Sequence, residues 1–253
     1  MRAAADAGWW ARTPVGLAAL RYQECVALLR DRRLRHGSLD ALTARGVTSG
    51  PFFDWLRTML LNLEGQAHQR QRRLVSKAFT QRSVDALRPF MRAKTHELID
   101  GFAGTGRCEF MTAFADPYPA WVIAEVLAIP TERFEAFLGW ATDIGLGFSP
   151  AAAAEQARID AAVPGLYACC DELTAQRREN PADDLVSALI TAEADGETLS
   201  PDELRVMVST LVFGGQDTTR NQLGLAMTTF ARHPSSGGCS PSDPSWPAPP
   251  SRN

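Results

Sequence analysis

The feature that most constrains this chain is a single long helix near its C-terminal end. Ser200-Pro201-Asp202-Glu203 has the form of a capping box, with Ser at the N-cap, Pro at the first helical position and Glu three residues on. From there the pattern predicts helix from Pro201 to about Arg232, roughly 45 Å of rod. That is long for a globular helix. Its middle, Leu211-Val212-Phe213-Gly214-Gly215, is apolar on every side, so it is expected to cross a core rather than lie on one. A chain built round such a rod is mainly α.

The remaining pattern agrees. Residues 10–22 hold a Thr-Pro-Val-Gly turn between short apolar stretches and predict a small hairpin. Helical spacing follows over 23–34, then a loop-rich stretch at 36–56 with several glycines and Pro51. Further helices are predicted over 66–80, 83–102 with a break or kink at Pro89, 116–127, 131–146, 151–178 and 181–193. A tight turn is expected at Asp195-Gly196-Glu197. Residues 235–253 differ from all of this. Thirteen of these nineteen are Ser, Pro or Gly, and such a segment cannot repay its ordering entropy, so it is expected to be disordered.

Composition removes some functions. With 253 residues, 45% hydrophobic and 22% charged, the chain can bury a substantial core. A net charge of −3 argues against nucleic acid as a main partner. No apolar run reaches the length of a membrane span, and the N-terminus lacks a signal-peptide core. Five cysteines form no CxxC pair and no even disulfide framework, which suits a reducing cytoplasm.

Two places carry chemistry. In Gly214-Gly215-Gln216-Asp217-Thr218-Thr219, two helical glycines cost about 1 kcal/mol each against Ala, and a buried carboxylate costs more unless satisfied. One reading is a groove. The glycines clear space for something flat and large, Thr218 bonds back to a carbonyl one turn earlier and opens a local bulge, and Asp217 and Thr218 deliver protons there. The other is close helix–helix packing at the glycines with a polar patch toward solvent. The second place is the basic helix Gly65 to Phe79, where His68 and Arg72 share a face. Two donors at that spacing suit a carboxylate or phosphate. A solvated basic face accounts for them as well, and nucleic-acid binding is a third option that the missing aromatics and the acidic balance oppose.

Together the two features resemble the bacterial cytochromes P450. His68-x-x-x-Arg72 followed by Leu74-Val75-Ser76-Lys77-Ala78-Phe79 is similar to the family's C helix, and Gly-Gly-x-Asp-Thr-Thr at 214–219 to its I helix. Three more stretches, 28–34, 121–130 and 183–190, are similar too, so the resemblance covers roughly 9–234. It implies a partial P450 domain over 1–234, first hairpin through I helix, and a non-homologous tail over 235–253. It implies haem b as cofactor, with His68 and Arg72 on the propionates and Gly214 and Gly215 on the distal face. Asp217 and Thr218 become the acid–alcohol pair that relays protons through ordered water. The implied function is insertion of one oxygen atom from O2 into a small organic substrate, with electrons from a ferredoxin or similar donor. The 36–56 loop and the helices over 131–178 become substrate-recognition surface.

The family's thiolate iron ligand lies in a Phe-x-x-Gly-x-x-x-Cys-x-Gly loop, and the sequence holds no such loop and no Glu-x-x-Arg of the K helix. Cys239 sits in the Ser/Pro tail, and Cys25, Cys108, Cys169 and Cys170 are expected to be small buried or half-buried hydrophobes, so no residue is assigned as metal ligand. Read one frame over from the third base of the Pro234 codon, the tail can be regrouped as EQWRLLAERPELARAAVEE, a charged amphipathic helix. On that reading the chain is a frameshifted, truncated product and inactive as it stands. The competing class is a non-enzymatic helical module that holds an apolar ligand or a protein partner.

Overall fold

The computed structural model describes residues 2–13, 16–149, 151–192 and 196–233. In chain order the elements are α1 (Arg2–Ala7), the antiparallel hairpin β1 (Trp10–Thr13) and β2 (Gly16–Ala19), α2 (Tyr22–Leu29), α3 (Ser38–Thr43), α4 (Pro51–Thr58), α5 (Gly65–Ala78), α6 (Gln81–Ala86), α7 (Arg88–Ala103), α8 (Pro117–Val126), α9 (Phe134–Gly145), α10 (Gln156–Glu179), α11 (Leu185–Thr191) and α12 (Pro201–Arg232). The hairpin pairs Trp10 with Ala19 and Thr13 with Gly16. The fold is therefore mainly α with a small hairpin. No helix among the described residues is long and apolar enough to cross a membrane.

Several expectations change: the helix expected over 23–34 stops at Leu29, and the one expected over 181–193 begins only at Leu185, where Asp184 caps it by accepting the Ser187 N–H. The 36–56 stretch is not simply loop, because it carries α3 and the start of α4. Gly50 and Pro51 occupy the N-cap and first turn of α4, and Phe52, Trp55, Leu56 and Met59 are all buried at helical spacing. The Ala-rich stretch enters α10 only at Gln156, with turns before it. The break near Pro89 is real and falls between α6 and α7, placing Pro89 in the first turn of α7. The disordered tail expected over 235–253 lies outside the described residues, as does Asp195 of the expected turn.

The chain divides into two units, Met1–Phe79 with Glu135–Thr210, and Thr80–Phe134 with Leu211–Asn253. In the first, α10 packs on α4 and α11, and α11 packs on α5. Phe52 is inserted so closely that a Cβ on Gly147 would stand 2.2 Å from its ring. Gly50 (φ 108°) leaves no room for a side chain, since Asp160 approaches to accept the Phe52 N–H at 2.9 Å. Trp55 donates to Ser209 at 2.9 Å with both residues buried. In the second unit, α7 packs on α8, and Trp121 stacks on Phe134 at 3.6 Å with Lys94 over its other side at 4.2 Å.

Candidate functional site

The capping box of α12 forms as its residue types require. Glu203 N–H donates to Ser200 Oγ at 3.2 Å, and Ser200 N–H donates to Glu203 Oε2 at 2.9 Å. Glu203 does more than cap. Its Oε1 accepts from Gln71 Nε2 at 3.1 Å and pairs with Arg70, which also donates to the Thr198 carbonyl at 3.1 Å. Burial opposes the charge on Glu203, but the Ser200 N–H, Arg70 and Gln71 outweigh it and hold the carboxyl below its usual range. Nothing in the capping-box signature announced this second use of the carboxylate.

On α5 the side chains of 68–72 divide. Gln71 is buried and Arg70 is paired, both toward the first turn of α12. His68 is half-buried, Arg72 is exposed, and neither side chain has a hydrogen-bond or ion-pair partner among the described residues. Two adjacent donors with no internal partner leave their hydrogen-bonding capacity for an outside anion or for water.

Gly214, Gly215, Asp217 and Thr218 lie together on α12 in the second unit, while His68 and Arg72 belong to the first. The α12 residues do not share one environment. A Cβ on Gly214 would meet nothing within 4 Å, whereas one on Gly215 would stand 3.0 Å from Ile123 Cδ1 on α8. The two readings of the glycine pair are thus divided between its members, open space at Gly214 and close helix packing at Gly215. The expected enclosure on every side does not hold, because Val212 is buried but Gly214 and Thr218 are exposed. Thr218 Oγ1 does bond back to the Gly214 carbonyl, at 2.7 Å, yet α12 runs unbroken and no bulge opens. Beside Gly215 a slot of about 130 Å³ lies among Met91, Tyr118, Val122, Ile123 and Thr219, below the roughly 300 Å³ at which small-molecule sites begin.

Asp217 is half-buried and held from its own helix. Asn221 Nδ2 donates to it at 3.1 Å and Arg220 Nη1 lies 3.8 Å away, with Arg220 also paired to Asp116. The sequence reading missed Arg220 and Asn221, although their places three and four residues after Asp217 put them on its face. Ile123 was missed as well, and only the fold brings it to Gly215.

The cytochrome P450 family model matches residues 154–236. Luteothin monooxygenase of Streptomyces thioluteus is 36% identical over 91% of this chain and 57% of its own length. Mycinamicin IV hydroxylase/epoxidase of Micromonospora griseorubida is 33% identical over 84% of this chain and 52% of its own. A solved cytochrome P450 of Chondromyces apiculatus superposes with a TM-score of 0.78 at 31% identity, covering 92% of this chain and 57% of that one. The chain belongs to the cytochrome P450 family. It spans about half the length of the P450 relatives it matches.

Haem is the prosthetic group of the P450 family. Two features of this chain fit it: the open position of α12 at Gly214, and the donors of His68 and Arg72, which have no side-chain partner among the described residues. The described cysteines do not fit a thiolate ligand. Cys169 and Cys170 are buried in α10, and burial pushes the Cys170 thiol up. Cys25 is half-buried against the Ala19 carbonyl. Cys108 is exposed, contrary to the expectation of a buried or half-buried hydrophobe. Cys239 lies outside the described residues. No group of three His, Cys, Asp or Glu side chains that could hold a metal ion occurs among the described residues.

Proposed function

We propose that this chain forms the distal, oxygen-activating side of the haem pocket of a monooxygenase. The observation that carries the reading is the contrast on α12 between Gly214, open to solvent with nothing beyond its backbone, and Thr218, whose hydroxyl bonds to the Gly214 carbonyl one turn earlier. A flat ligand can lie against that open position and find one hydroxyl and one carboxylate within a turn.

When bound, haem b supplies the oxygen chemistry that inserts one atom of O2 into a small organic substrate, with electrons from a ferredoxin or a similar donor. The chain's own residues hold the group and move protons. His68 and Arg72 donate to its propionates as a charge-assisted pair. Gly214, with the Gly215 backbone beside it, admits the ring. Thr218 Oγ1 donates to the Gly214 carbonyl, which leaves its lone pairs to hold a water. Asp217, steadied as a carboxylate by Arg220 and Asn221, would take up a proton from solvent on one oxygen and hand it on to that water, returning to the carboxylate. The four described cysteines are free thiols, which supports a place in the cytoplasm.

The test is coupling, measured in a haem-loaded enzyme that includes this chain. Thr218→Ala removes the hydroxyl that places the water, so reductant consumption is expected to appear as hydrogen peroxide instead of product. Asp217→Asn keeps the shape and removes the proton source, slowing turnover about 10²-fold or more. A Thr218→Ala enzyme with full product yield and no peroxide contradicts the assignment.

A further inference from the structure

In the first unit, one carboxylate holds two helices at once. Glu203 Oε2 closes the cap of α12 by accepting the Ser200 N–H at 2.9 Å. Its Oε1 accepts from Gln71 at 3.1 Å and from Arg70, both on α5. The Arg70 guanidinium also donates to the Thr198 carbonyl at 3.1 Å and lies 3.8 Å from Glu197. So both ends of one two-residue stretch of α5 are bonded to the segment that begins α12.

That attachment fixes a rotation. Successive helical residues turn by about 100°, so Arg72 lies about 40° from His68, while Arg70 lies about 200° away on the opposite flank. Leu74, Val75 and Ala78 bury the face between the flanks. An apolar face alone lets a helix roll by a fraction of a turn, because dispersion and burial have no direction. A polar anchor at two places round the helix does not: Arg70 on the far flank and Gln71 within the buried face, about 60° from His68, both donate to one Glu203 oxygen. With Arg70 and Gln71 held by one carboxylate, the flank that carries His68 and Arg72 has one bearing.

We propose that Glu203 is a positioning residue for the His68–Arg72 donor pair, setting the roll of α5 through Arg70 and Gln71 while it caps α12. The inference rests on the assignment of His68 and Arg72 to the haem propionates. Glu203 itself touches no ligand. Its effect on ligand binding passes only through α5.

A double-mutant cycle tests it on the chain itself, with haemin as the probe and quenching of tryptophan fluorescence as the readout. Glu203→Gln, nearly equal in shape, is expected to weaken haemin about tenfold while His68 and Arg72 are present, and to change affinity less than about twofold once both are Ala. Amide exchange gives a readout that lost stability alone would not produce. In Glu203→Gln, residues 66–72 are expected to exchange faster while α10 and α11 keep their protection. Additive losses in the cycle, or acceleration spread evenly over α10 and α11, overturn the positioning role. If the His68→Ala/Arg72→Ala chain binds haemin as the parent does, or the parent binds none, the propionate assignment itself fails and the inference falls with it.

Discussion

Thr218 donates its hydroxyl hydrogen bond to the carbonyl of Gly214 at 2.7 Å, and both residues face outward on α12. The bond satisfies the hydroxyl within one turn, and the Gly214 position beside it stays open. A helix built only for stability has no use for that arrangement, because Ala at 214 is the better helix former.

The two neighbouring glycines therefore respond oppositely to the same substitution. Gly214→Ala adds helix propensity where nothing stands within 4 Å and is expected to stabilise the chain by about 1 kcal/mol. Gly215→Ala gains the same propensity but pushes into Ile123 at 3.0 Å, so its net effect is expected to be zero or destabilising. Urea unfolding of the two variants measures the difference. Equal stabilisation at both sites contradicts the packing described for α8 and α12.

Much of this was readable in residue types. Both ends of α12, its capping box, the Thr218 back-bond and the hairpin follow from local rules that need no partner. What was not readable depends on partners distant in sequence. Glycine and proline at 46–51 mark a loop, and the same Gly50-Pro51 also starts α4. The choice between them is decided by Phe52 and Trp55 finding Gly147 and Ser209. The glycine pair at 214–215 left two readings open because only α8, through Ile123, distinguishes one glycine from the other. Glu203 was visible as a cap and not as the acceptor for α5, since capping uses one oxygen and sequence spacing says nothing of the second.

Ser209→Ala is expected to cost about 1–3 kcal/mol, far more than a surface Ser→Ala. The substitution leaves the Trp55 indole N–H buried without its acceptor at 2.9 Å. Thermal unfolding checks the size of the loss, and restoring an acceptor with Ser209→Thr is expected to recover part of it.

Asp160→Ala removes the carboxylate that accepts the Phe52 N–H at the start of α4, where Gly50 offers no side-chain cap. The cost is expected to be about 1 kcal/mol, with amide exchange rising first in residues 52–55. Unchanged protection there contradicts the capping role.

Stability is expected to fall with acid. Glu203 and Asp184 have carboxyls below their usual range: burial opposes each charge, and hydrogen bonds outweigh it, from Ser200, Arg70 and Gln71 on Glu203 and from Ser187 and Arg177 on Asp184. A lowered folded-state value means stability that is present above the ordinary carboxylate range and lost as pH falls through the folded value. Urea midpoints measured from neutral pH downward are expected to drop over that window, with a shallower slope in Asp184→Asn and Glu203→Gln. An unchanged slope in both variants contradicts the assignment of these carboxylates.

The central claim is that the open position of α12 at Gly214 receives the haem face, and haemin affinity of Gly214→Leu measures it most directly. Gly214 is exposed and a Cβ there meets nothing within 4 Å, and leucine is a better helix former than glycine, so the variant is expected to unfold at or above the parent's temperature. Haemin binding is expected to weaken about tenfold or more, because a side chain of that size occupies that position. A Gly214→Leu chain as stable as the parent that binds haemin with the parent's affinity would contradict the account.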